Sequence, residues 1–245
     1  MVRKSRKSRE EWKIYNNVFD QFTTRLIHEL SGKGYFKDLK SNLGLGKEAN
    51  VFLADKDDEY IIVKIYRLEN ANFNKMYSYI NADPRFTGLE NQRRKIIFTW
   101  AQREYRNLMV AREYIRVPLP IGVKNHVLMM ESIGGLNPSP MLKDKFPEDP
   151  ESFYKEVLVN VKGLLKAGLV HGDLSEFNIL NHHEKPVFID FSQGTSIKTF
   201  NAWELLERDL NNVNNYFSRK KVDVDKEKVI SDFKKEFDKC LTTFK

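Results

Sequence analysis

The sequence has little of what marks an exported or membrane-bound protein. Its 245 residues include one cysteine, Cys240, so no disulfide can form within the chain. No apolar run reaches the ~18 residues that a membrane-spanning helix needs. The basic start of the chain has no apolar stretch behind it, as a signal peptide would. We therefore expect a cytoplasmic protein without a membrane partner.

Internal repeats and low-complexity tracts are also lacking. The hydrophobic content of 41% is ordinary for a globular protein. A chain of this length can form one domain with a sizeable core, or one domain made of two lobes.

Positive charge is in excess, with 41 Lys and Arg residues against 34 Asp and Glu and a formal net charge of +7. It is concentrated at residues 3–9, 93–95 and 219–221. Basic clusters bind polyanions such as nucleic acids by releasing counterions. A solvated surface is the simpler interpretation of each cluster alone, and a nucleotide-binding enzyme can also be basic in order to attract its substrate.

The spacing of apolar residues changes from strand-like to helix-like along the chain. A strand-rich first half and a helix-rich second half indicate two lobes with a cleft between them. The segment 41–46 is predicted as a loop. Four strands are predicted at 49–54, 60–66, 117–123 and 126–130, and five helices at 10–31, 96–113, 151–167, 202–217 and 225–240.

This pattern divides the chain into three parts. Residues 1–40 form a basic N-terminus with a helical extension, residues 41–130 the strand-rich lobe, and residues 131–245 the helix-rich lobe. Residues 68–95 show no steady period, so we expect a long, partly mobile loop there.

The strongest motif is the segment 171–180, HGDLSEFNIL, followed by an apolar strand that ends at Asp190. The spacing places Asp173, Asn178 and Asp190 at one end of a hairpin. Three oxygen donors, two of them carboxylates, suit Mg²⁺, which keeps waters and substrate phosphates as further ligands. Their order along the chain is the protein-kinase arrangement. We expect Asp173 to orient the attacking hydroxyl, and Asn178 and Asp190 to hold the metal.

A glycine-containing segment between two predicted strands is the expected ATP loop. Glycines let backbone N–H groups approach phosphates closely. It is not a P-loop, because no Gly-Lys-Ser/Thr sequence opens a helix there, and Ala49 stands where the kinase pattern has its third glycine. The residues expected to contact ATP here are Gly44, Leu45, Gly46, Lys47, Glu48, Ala49 and Val51.

A lysine inside an apolar strand usually needs a partner, and Lys64 lies between Val63 and Ile65. In kinases the partner is a helix glutamate, and the amine also reaches the α and β phosphates of the nucleotide. Glu104, on the next predicted helix, is the favoured partner, and Glu113 lies further along. We assign Lys64 a catalytic and ATP-binding role and place Glu104 in the ATP site.

The connection between the lobes is predicted as a hinge. It follows the strand at 126–130 and precedes a Gly- and Pro-containing linker at 133–140. The backbone groups of Glu131 and Ile133 are candidates for adenine binding, with Met130 beside them.

These segments resemble the RIO kinases, a family of atypical protein kinases, and within it the Rio1-type proteins. The resemblance spans about residues 10–240. It rests on HGDLSEFN, IDFSQG and GLGKEANV, on residues 99–108, on the Pro138-Ser139-Pro140 linker, and on Arg208-Asp209 with Asn212.

The resemblance implies an α+β, two-lobed protein-kinase-like fold with a strand-rich first lobe, a reduced helical second lobe and an N-terminal helical extension. It also implies ATP with Mg²⁺ or Mn²⁺ and phosphorylation of a serine in the protein itself or in another. A role in maturation of the small ribosomal subunit, with rRNA as partner, is implied as well. Some members work mainly as ATPases through an aspartyl-phosphate at the position of Asp190.

The sequence differs from ordinary kinases at positions whose side chains have known roles in those enzymes. Gly172 stands where many kinases have an arginine that senses a phosphorylated activation loop. Ser175 replaces the lysine that usually meets the γ-phosphate. Only about ten residues follow Phe191 before the next predicted helix. We expect no control by activation-loop phosphorylation and little surface for docking a peptide.

Other functions fit parts of the pattern. Aminoglycoside or choline phosphotransferases also use His-Gly-Asp, but they usually carry acidic helices for a cationic substrate. The small kinase of the tRNA-modifying complex should lack both the 68–95 segment and the N-terminal helix. A pseudokinase scaffold on pre-ribosomes is the alternative of a different class, and it is disfavoured by the intact set of Lys64, Asp173, Asn178 and Asp190.

Overall fold

The computed structural model describes residues 19–69, 72–83, 85 and 92–243. The basic segment 3–9 and the start of the helix predicted at 10–31 lie outside these residues. The prediction of one continuous helix was wrong, because Phe19 and Asp20 are not helical and Asp20 is extended, with ψ 167°. No helix within the described ranges is long and apolar enough to cross a membrane.

The first lobe is built on an antiparallel sheet of five strands. They are β1 (Leu39–Leu45), β2 (Ala49–Lys56), β3 (Glu59–Tyr66), β4 (Pro120–Lys124) and β5 (Val127–Glu131). Their order in the sheet is β1-β2-β3-β5-β4. The turn between β2 and β3 contains Asp57 with φ 53°, a left-handed conformation that Asp tolerates in tight turns.

Strand β1 corrects the sequence analysis, which predicted a loop at 41–46. It pairs with β2, and its register shifts between Leu39 and Ser41 and again between Asn42 and Gly44. Those irregularities and the exposed, mostly polar side chains remove the alternation by which a strand is recognised.

Six helices lie in the described part of the chain. They are α1 (Gln21–Gly32), α2 (Phe73–Ala82), α3 (Arg93–Ala111), α4 (Pro150–Lys166), α5 (Ala202–Arg219) and α6 (Lys226–Thr243). Helix α1 begins after Asp20, whose carboxylate accepts from Thr23 N at 2.7 Å and caps the helix. Its buried side, with Leu26 and Leu30, packs on the face of the sheet that carries Val63 and Ile65.

Helix α2 is a second correction, because residues 68–95 were predicted as a loop. Its ten residues bury only Met76 and Ile80, which pack against Ile96, Ile97 and Trp100. Two buried residues four apart are too few to stand out from the surrounding Asn, Tyr and Arg. Residues 70–71, 84 and 86–91 of this segment lie outside the described residues.

The second lobe is helical, with two short strand pairs beside the cleft. Helices α4, α5 and α6 share one core with the pairs, centred on Phe153, Phe188 and Phe217. The pairs are β6 (Leu169–Val170) with β9 (Thr195–Ser196), and β7 (Ile179–His182) with β8 (Lys185–Phe188). The predicted α+β fold, with a strand-rich first lobe and a helical second lobe, is confirmed.

His126 joins α1 to the sheet and yields a test of the packing. It is fully buried, its Nε2 lies 2.9 Å from Thr23 Oγ1, and its ring stacks with Phe22 and Phe98. Burial lowers the pKa of His126 from 6.5 to about 4, with Asp20 opposing this shift. The folded state therefore binds fewer protons than the unfolded state between these pH values, and stability falls as pH falls through that window.

We predict that replacing His126 by Phe, which keeps the stacking, makes the free energy of unfolding less dependent on pH between 6.5 and 4. Without His126, the number of protons bound by the unfolded state exceeds that of the folded state by up to one less. The slope of the free energy of unfolding against pH is then smaller by up to about 1.4 kcal/mol per pH unit. Urea titrations at a series of pH values measure this slope. His28→Phe, at an exposed position of α1, is the matched control. An unchanged slope in His126→Phe would contradict the assignment.

Candidate active site

A buried ion cluster joins the two lobes at the cleft. Lys64 Nζ lies 3.0 Å from Glu104 Oε1 and 2.9 Å from Asp190 Oδ1. The Tyr66 hydroxyl donates to the other oxygen of Glu104. The pair expected from the sequence, Lys64 and Glu104, is thus brought together, and Asp190 joins it.

Strand and helix periodicity place these side chains. Alternation along β3 turns Lys64 away from the face that carries Val63 and Ile65 and towards α3. On α3, Glu104 lies one helical turn from Trp100 and from Leu108, on the buried side of the helix. The lysine and the glutamate therefore meet between the sheet and α3.

Charge pairing outweighs the cost of burial for two members of the cluster. Burial alone would lower the pKa of Lys64, but the carboxylates of Asp190 and Glu104 raise it above its usual value. Burial alone would raise the pKa of Asp190, but Lys64 brings it down to about 2. Burial raises the pKa of Glu104, and Lys64 opposes the rise. Lys64 and Asp190 are thus both charged at neutral pH.

The backbone at Asp190 is turned sharply. Its φ of 60° and ψ of 71° lie in the left-handed region, and its carboxylate accepts from Ser192 N at 3.3 Å. A 3₁₀ turn, Phe191–Gln193, follows. Just before it, His171 Nε2 donates to the Ile189 C=O at 3.0 Å. Burial lowers the pKa of His171 to about 4, so this donor is neutral at neutral pH.

Side chains of α3 hold residues 191–194, which we call the post-Asp190 turn. Asn107 Nδ2 donates to the C=O groups of Phe191, at 2.8 Å, and Gly194, at 2.7 Å. Arg103 Nε donates to Gly194 O at 3.0 Å. A Cβ at Gly194 would lie 2.8 Å from Asn107 Nδ2, so only glycine allows this approach. The turn after the predicted metal ligand is therefore fixed from within the fold.

The loop that carries Asp173 is held by a buried carboxylate on α5. Asp209 accepts from the backbone N–H groups of Gly172, at 2.7 Å, and Leu174, at 2.9 Å, which flank Asp173. Arg208 donates to the Gly172 C=O. Gly172 has φ 75°, and a Cβ there would lie 2.8 Å from the Gln193 C=O. Burial raises the pKa of Asp209 to about 7, and the two N–H donors oppose the rise.

Asn178 is bonded to the same loop. Its Nδ2 donates to the Asp173 C=O at 2.7 Å and lies 3.5 Å from Asp173 Oδ2. This orientation leaves the amide oxygen of Asn178 available as a ligand. No group of three or more His, Cys, Asp and Glu side chains in the described ranges could hold a metal ion. A metal on Asn178 and Asp190 would therefore complete its coordination with water or phosphate oxygens.

A cavity of about 440 Å³ lies between the predicted ATP loop and the second lobe. It collects most of the predicted residues of the first lobe and both aspartates. Asn178 and Glu104 lie outside its lining, and the Leu45 side chain is outside what the structure describes. The lining residues are Gly44, Gly46, Lys47, Glu48, Ala49, Val51, Lys64, Tyr66, Lys75, Asp173, Asp190, Ser192 and Gln193.

The predicted hinge lies away from this cavity. Glu131 turns its carboxylate to Arg116 and to Leu119 N, and its own N–H donates to the Leu119 C=O at 2.9 Å. The Ile133 C=O accepts from Ser139 N at 2.7 Å. An adenine beside Met130 would have to use the remaining backbone groups, the Glu131 C=O and the Ile133 N–H.

Three contributors were missed by reasoning from the sequence. Lys75 comes from the segment expected to be a loop. Asn107 gave no signal, because a buried asparagine looks like any helix residue. Asp209 was noted only as part of the family resemblance, and its position on the apolar face of α5, four residues from both Leu205 and Val213, could have indicated a buried structural role.

Comparison with known proteins gives a consistent result. The sequence model of a family described as the RIO domain matches residues 50–229. The chain is 41% identical over 226 residues to the RIO-type serine/threonine-protein kinase Rio1 of Methanocaldococcus jannaschii, covering 91% of this chain and 78% of that protein. It is 37% identical over 222 residues to the Rio1 kinase of Haloferax volcanii, covering 89% of this chain and 77% of that protein.

Solved structures agree on the fold. A Rio2 kinase–ADP/Mg²⁺–phosphoaspartate complex from Chaetomium thermophilum matches with a TM-score of 0.63 at 24% identity. The match covers 84% of this chain and 64% of that one, so this chain spans somewhat less than two thirds of the length of that neighbour.

We predict that Asp209→Asn lowers both stability and turnover of ATP. The amide can accept a hydrogen bond only through its oxygen, so one of the two N–H groups at Gly172 and Leu174 loses its acceptor, at a cost of about 1–3 kcal/mol. Looser placement of Asp173 should reduce turnover by roughly tenfold or more. Urea unfolding and steady-state ATP turnover measure the two effects. Glu204→Gln, at an exposed position of the same helix, is the control. Wild-type turnover in Asp209→Asn would show that other contacts hold the loop that carries Asp173.

Proposed function

The chain belongs to the Rio1-type branch of the RIO kinase family and is therefore an ATP-dependent kinase, and we propose that it works as a slow, metal-dependent ATP switch. In this proposal the γ-phosphate passes to Asp190 or to a serine, and the protein acts in maturation of the small ribosomal subunit. The observation that carries the proposal is the buried cluster of Lys64, Glu104 and Asp190 beside Asp173.

The residues of the cavity divide the tasks of binding. Gly44 and Gly46 let the ATP loop approach the phosphates. Lys64, held by Glu104, presents its ammonium to the α and β phosphates. Asp173, on the loop fixed by Asp209, lies where a hydroxyl would be oriented for attack.

Metal use is supported by the charge of the cluster. One lysine faces two carboxylates, Glu104 and Asp190, and the Asp190 side chain is 38% exposed, so it can also bind a cation from the cavity. Asp190 Oδ2 and the Asn178 amide oxygen would hold Mg²⁺ or Mn²⁺, and the ion would shield the phosphates from the acids around them. We expect ATP to bind weakly without the ion, because phosphate and carboxylates would then face each other unshielded.

The γ-phosphate can pass to an aspartate or to a serine, and the short segment after Asp190 favours the aspartate. Between Asp190 and α5 the chain has only the 3₁₀ turn, β9 and a short connection. This segment is bonded to α3, so it has little freedom to dock a peptide. The Rio2 complex from Chaetomium thermophilum contains a phosphoaspartate. In this chain an Asp190 oxygen would attack the γ-phosphorus, and the bond to the β–γ bridging oxygen would break and release ADP.

We predict that γ-labelled ATP with Mg²⁺ labels the protein and that hydroxylamine removes the label. Hydroxylamine cleaves acyl phosphates and spares phosphoserine. Asp173→Ala should still bind ATP but turn it over roughly 10²–10⁴-fold more slowly, because Asp173 would be the general base for the water that hydrolyses the aspartyl-phosphate, or for a serine hydroxyl. Reactions in excess EDTA provide the metal control.

Two other outcomes would indicate a different function. Label that survives hydroxylamine would replace the aspartyl-phosphate with serine transfer, with Asp190 binding only the metal. ATP binding without any single turnover would support the scaffold alternative.

We also place the protein in the cytoplasm, on a precursor of the small ribosomal subunit. The support is the net charge of +7 and a basic cluster, Arg219, Lys220 and Lys221, at the end of α5. Arg219 is exposed although it lies 3.5 Å from Glu176, so it can reach a phosphate backbone. Binding to rRNA would then follow the nucleotide state.

We predict that reversing the charge of Arg219 and Lys221 to Glu weakens rRNA binding. Loss of two phosphate contacts should reduce the slope of log K against log salt by roughly 2. Filter binding over a salt series measures the slope. The charge-matched control reverses Lys155 and Lys185, exposed elsewhere on the second lobe. Equal losses in both variants would show attraction by net charge only, and no loss would remove the cluster from the interface.

A further inference from the structure

The cavity lacks one cation that ordinary kinases have. Ser175 stands where those enzymes carry a lysine for the γ-phosphate, and this serine is not part of the cavity lining. Phosphoryl transfer depends on positive charge placed at the transferring group. Another positively charged side chain at the end of the cavity where Asp173 lies could supply that charge.

Three lysines line the cavity: Lys47, Lys64 and Lys75. Lys47 belongs to the turn of the ATP loop, between β1 and β2. Lys64 is 8% exposed and already bonded to Glu104 and Asp190. Lys47 and Lys75 are both exposed, so either ammonium can move towards a ligand, and Lys75 is the one that lies on α2, outside the predicted ATP loop.

Lys75 and Asp173 line the same cavity, so the Lys75 ammonium and the Asp173 carboxylate share one space. The Lys75 Nζ lies 6.0 Å from the centre of the Tyr79 ring, a weak contact that a phosphate could replace.

The position of Lys75 in its helix is unfavourable unless an anion is present. Asn72 caps α2 by accepting from Lys75 N at 3.1 Å, so Lys75 lies in the first turn, where N–H groups give a positive end. The first turn contains no acidic residue. A lysine there adds positive charge to a positive helix end, which suits a site for phosphate.

Helix α2 is anchored to the post-Asp190 turn. Asp83, which follows α2 and is buried, lies 2.6 Å from Arg85 Nη2 and 3.6 Å from Arg103 Nη2. Arg103 in turn donates to the Gly194 C=O, as described above. The helix that carries Lys75 and the turn that follows Asp190 therefore share one set of bonds.

We propose that Lys75 is a catalytic residue of this kinase and that its ammonium binds the γ-phosphate. Lys75, on α2, would thus take the place of the lysine that ordinary kinases have at the position of Ser175. The role rests on the ATP-dependent activity and is independent of the ribosomal partner and of where the phosphate goes. In this proposal α2 is part of the nucleotide site, and only a nucleotide with a third phosphate contacts Lys75.

The test compares nucleotides with two and three phosphates. Lys75→Ala should leave the affinity for Mg-ADP within about twofold, weaken Mg-AMPPNP by about tenfold, and reduce ATP turnover by roughly 10–100-fold. Lys75→Arg should recover part of the loss, because it keeps the charge. Calorimetry gives the two affinities, and single-turnover assays give the rate.

Asn74→Ala, exposed on the same turn of α2, and Lys235→Ala, exposed on α6, are the controls and should behave as wild type. Equal weakening of ADP and AMPPNP by Lys75→Ala would show a structural effect and overturn the proposal. Wild-type ATP turnover in Lys75→Ala, with an unchanged ratio of the affinities for AMPPNP and ADP, would also overturn the proposal. A wild-type chain that binds neither nucleotide would overturn the proposed function as well, so the two failures are distinguishable.

Discussion

One buried lysine shared by two carboxylates is the interaction on which this structure depends. Lys64 comes from the sheet, Glu104 from α3 and Asp190 from the second lobe. The two ion pairs therefore connect the sheet, α3 and the second lobe to one another. Charges attract strongly where water is excluded, and a member left without its partner is costly. The cluster has two carboxylates and one ammonium, and this is the basis of the metal site proposed above.

Two further sets of bonds place the catalytic groups around this cluster. Asp209 holds the loop of Asp173 through its backbone N–H groups, and Asn107 with Arg103 holds the post-Asp190 turn through its C=O groups. Both sets come from side chains on the buried faces of helices. Ordinary kinases order the corresponding segment by phosphorylation, whereas this chain orders it by internal contacts. We therefore expect that phosphorylation of this segment does not control the protein.

Much of the fold follows from patterns that are local in the chain. The strands β2, β3 and β5 and the helices α3 to α6 have apolar periods that packing then uses, and their bounds differ from the predicted ones by a few residues. Strand β1 and helix α2 escaped because each has weak periodicity of its own. Both are stabilised by a neighbour: β1 by its hydrogen bonds to β2, and α2 by Met76 and Ile80 against α3.

The sequence by itself determined the family and the candidate residues of the site, because the motif residues lie within short segments whose spacing is local in the chain. Asp173 and Asn178 share one loop, and one hairpin links that loop to Asp190. Only the tertiary structure decided the meeting of Lys64 with Asp190, the support from Asp209, and the entry of Lys75 into the cavity. Each of these joins residues from separate elements, and their distance is set by how sheet and helices pack on each other. Side-chain volume and burial over the whole chain control that packing, and no local pattern records it.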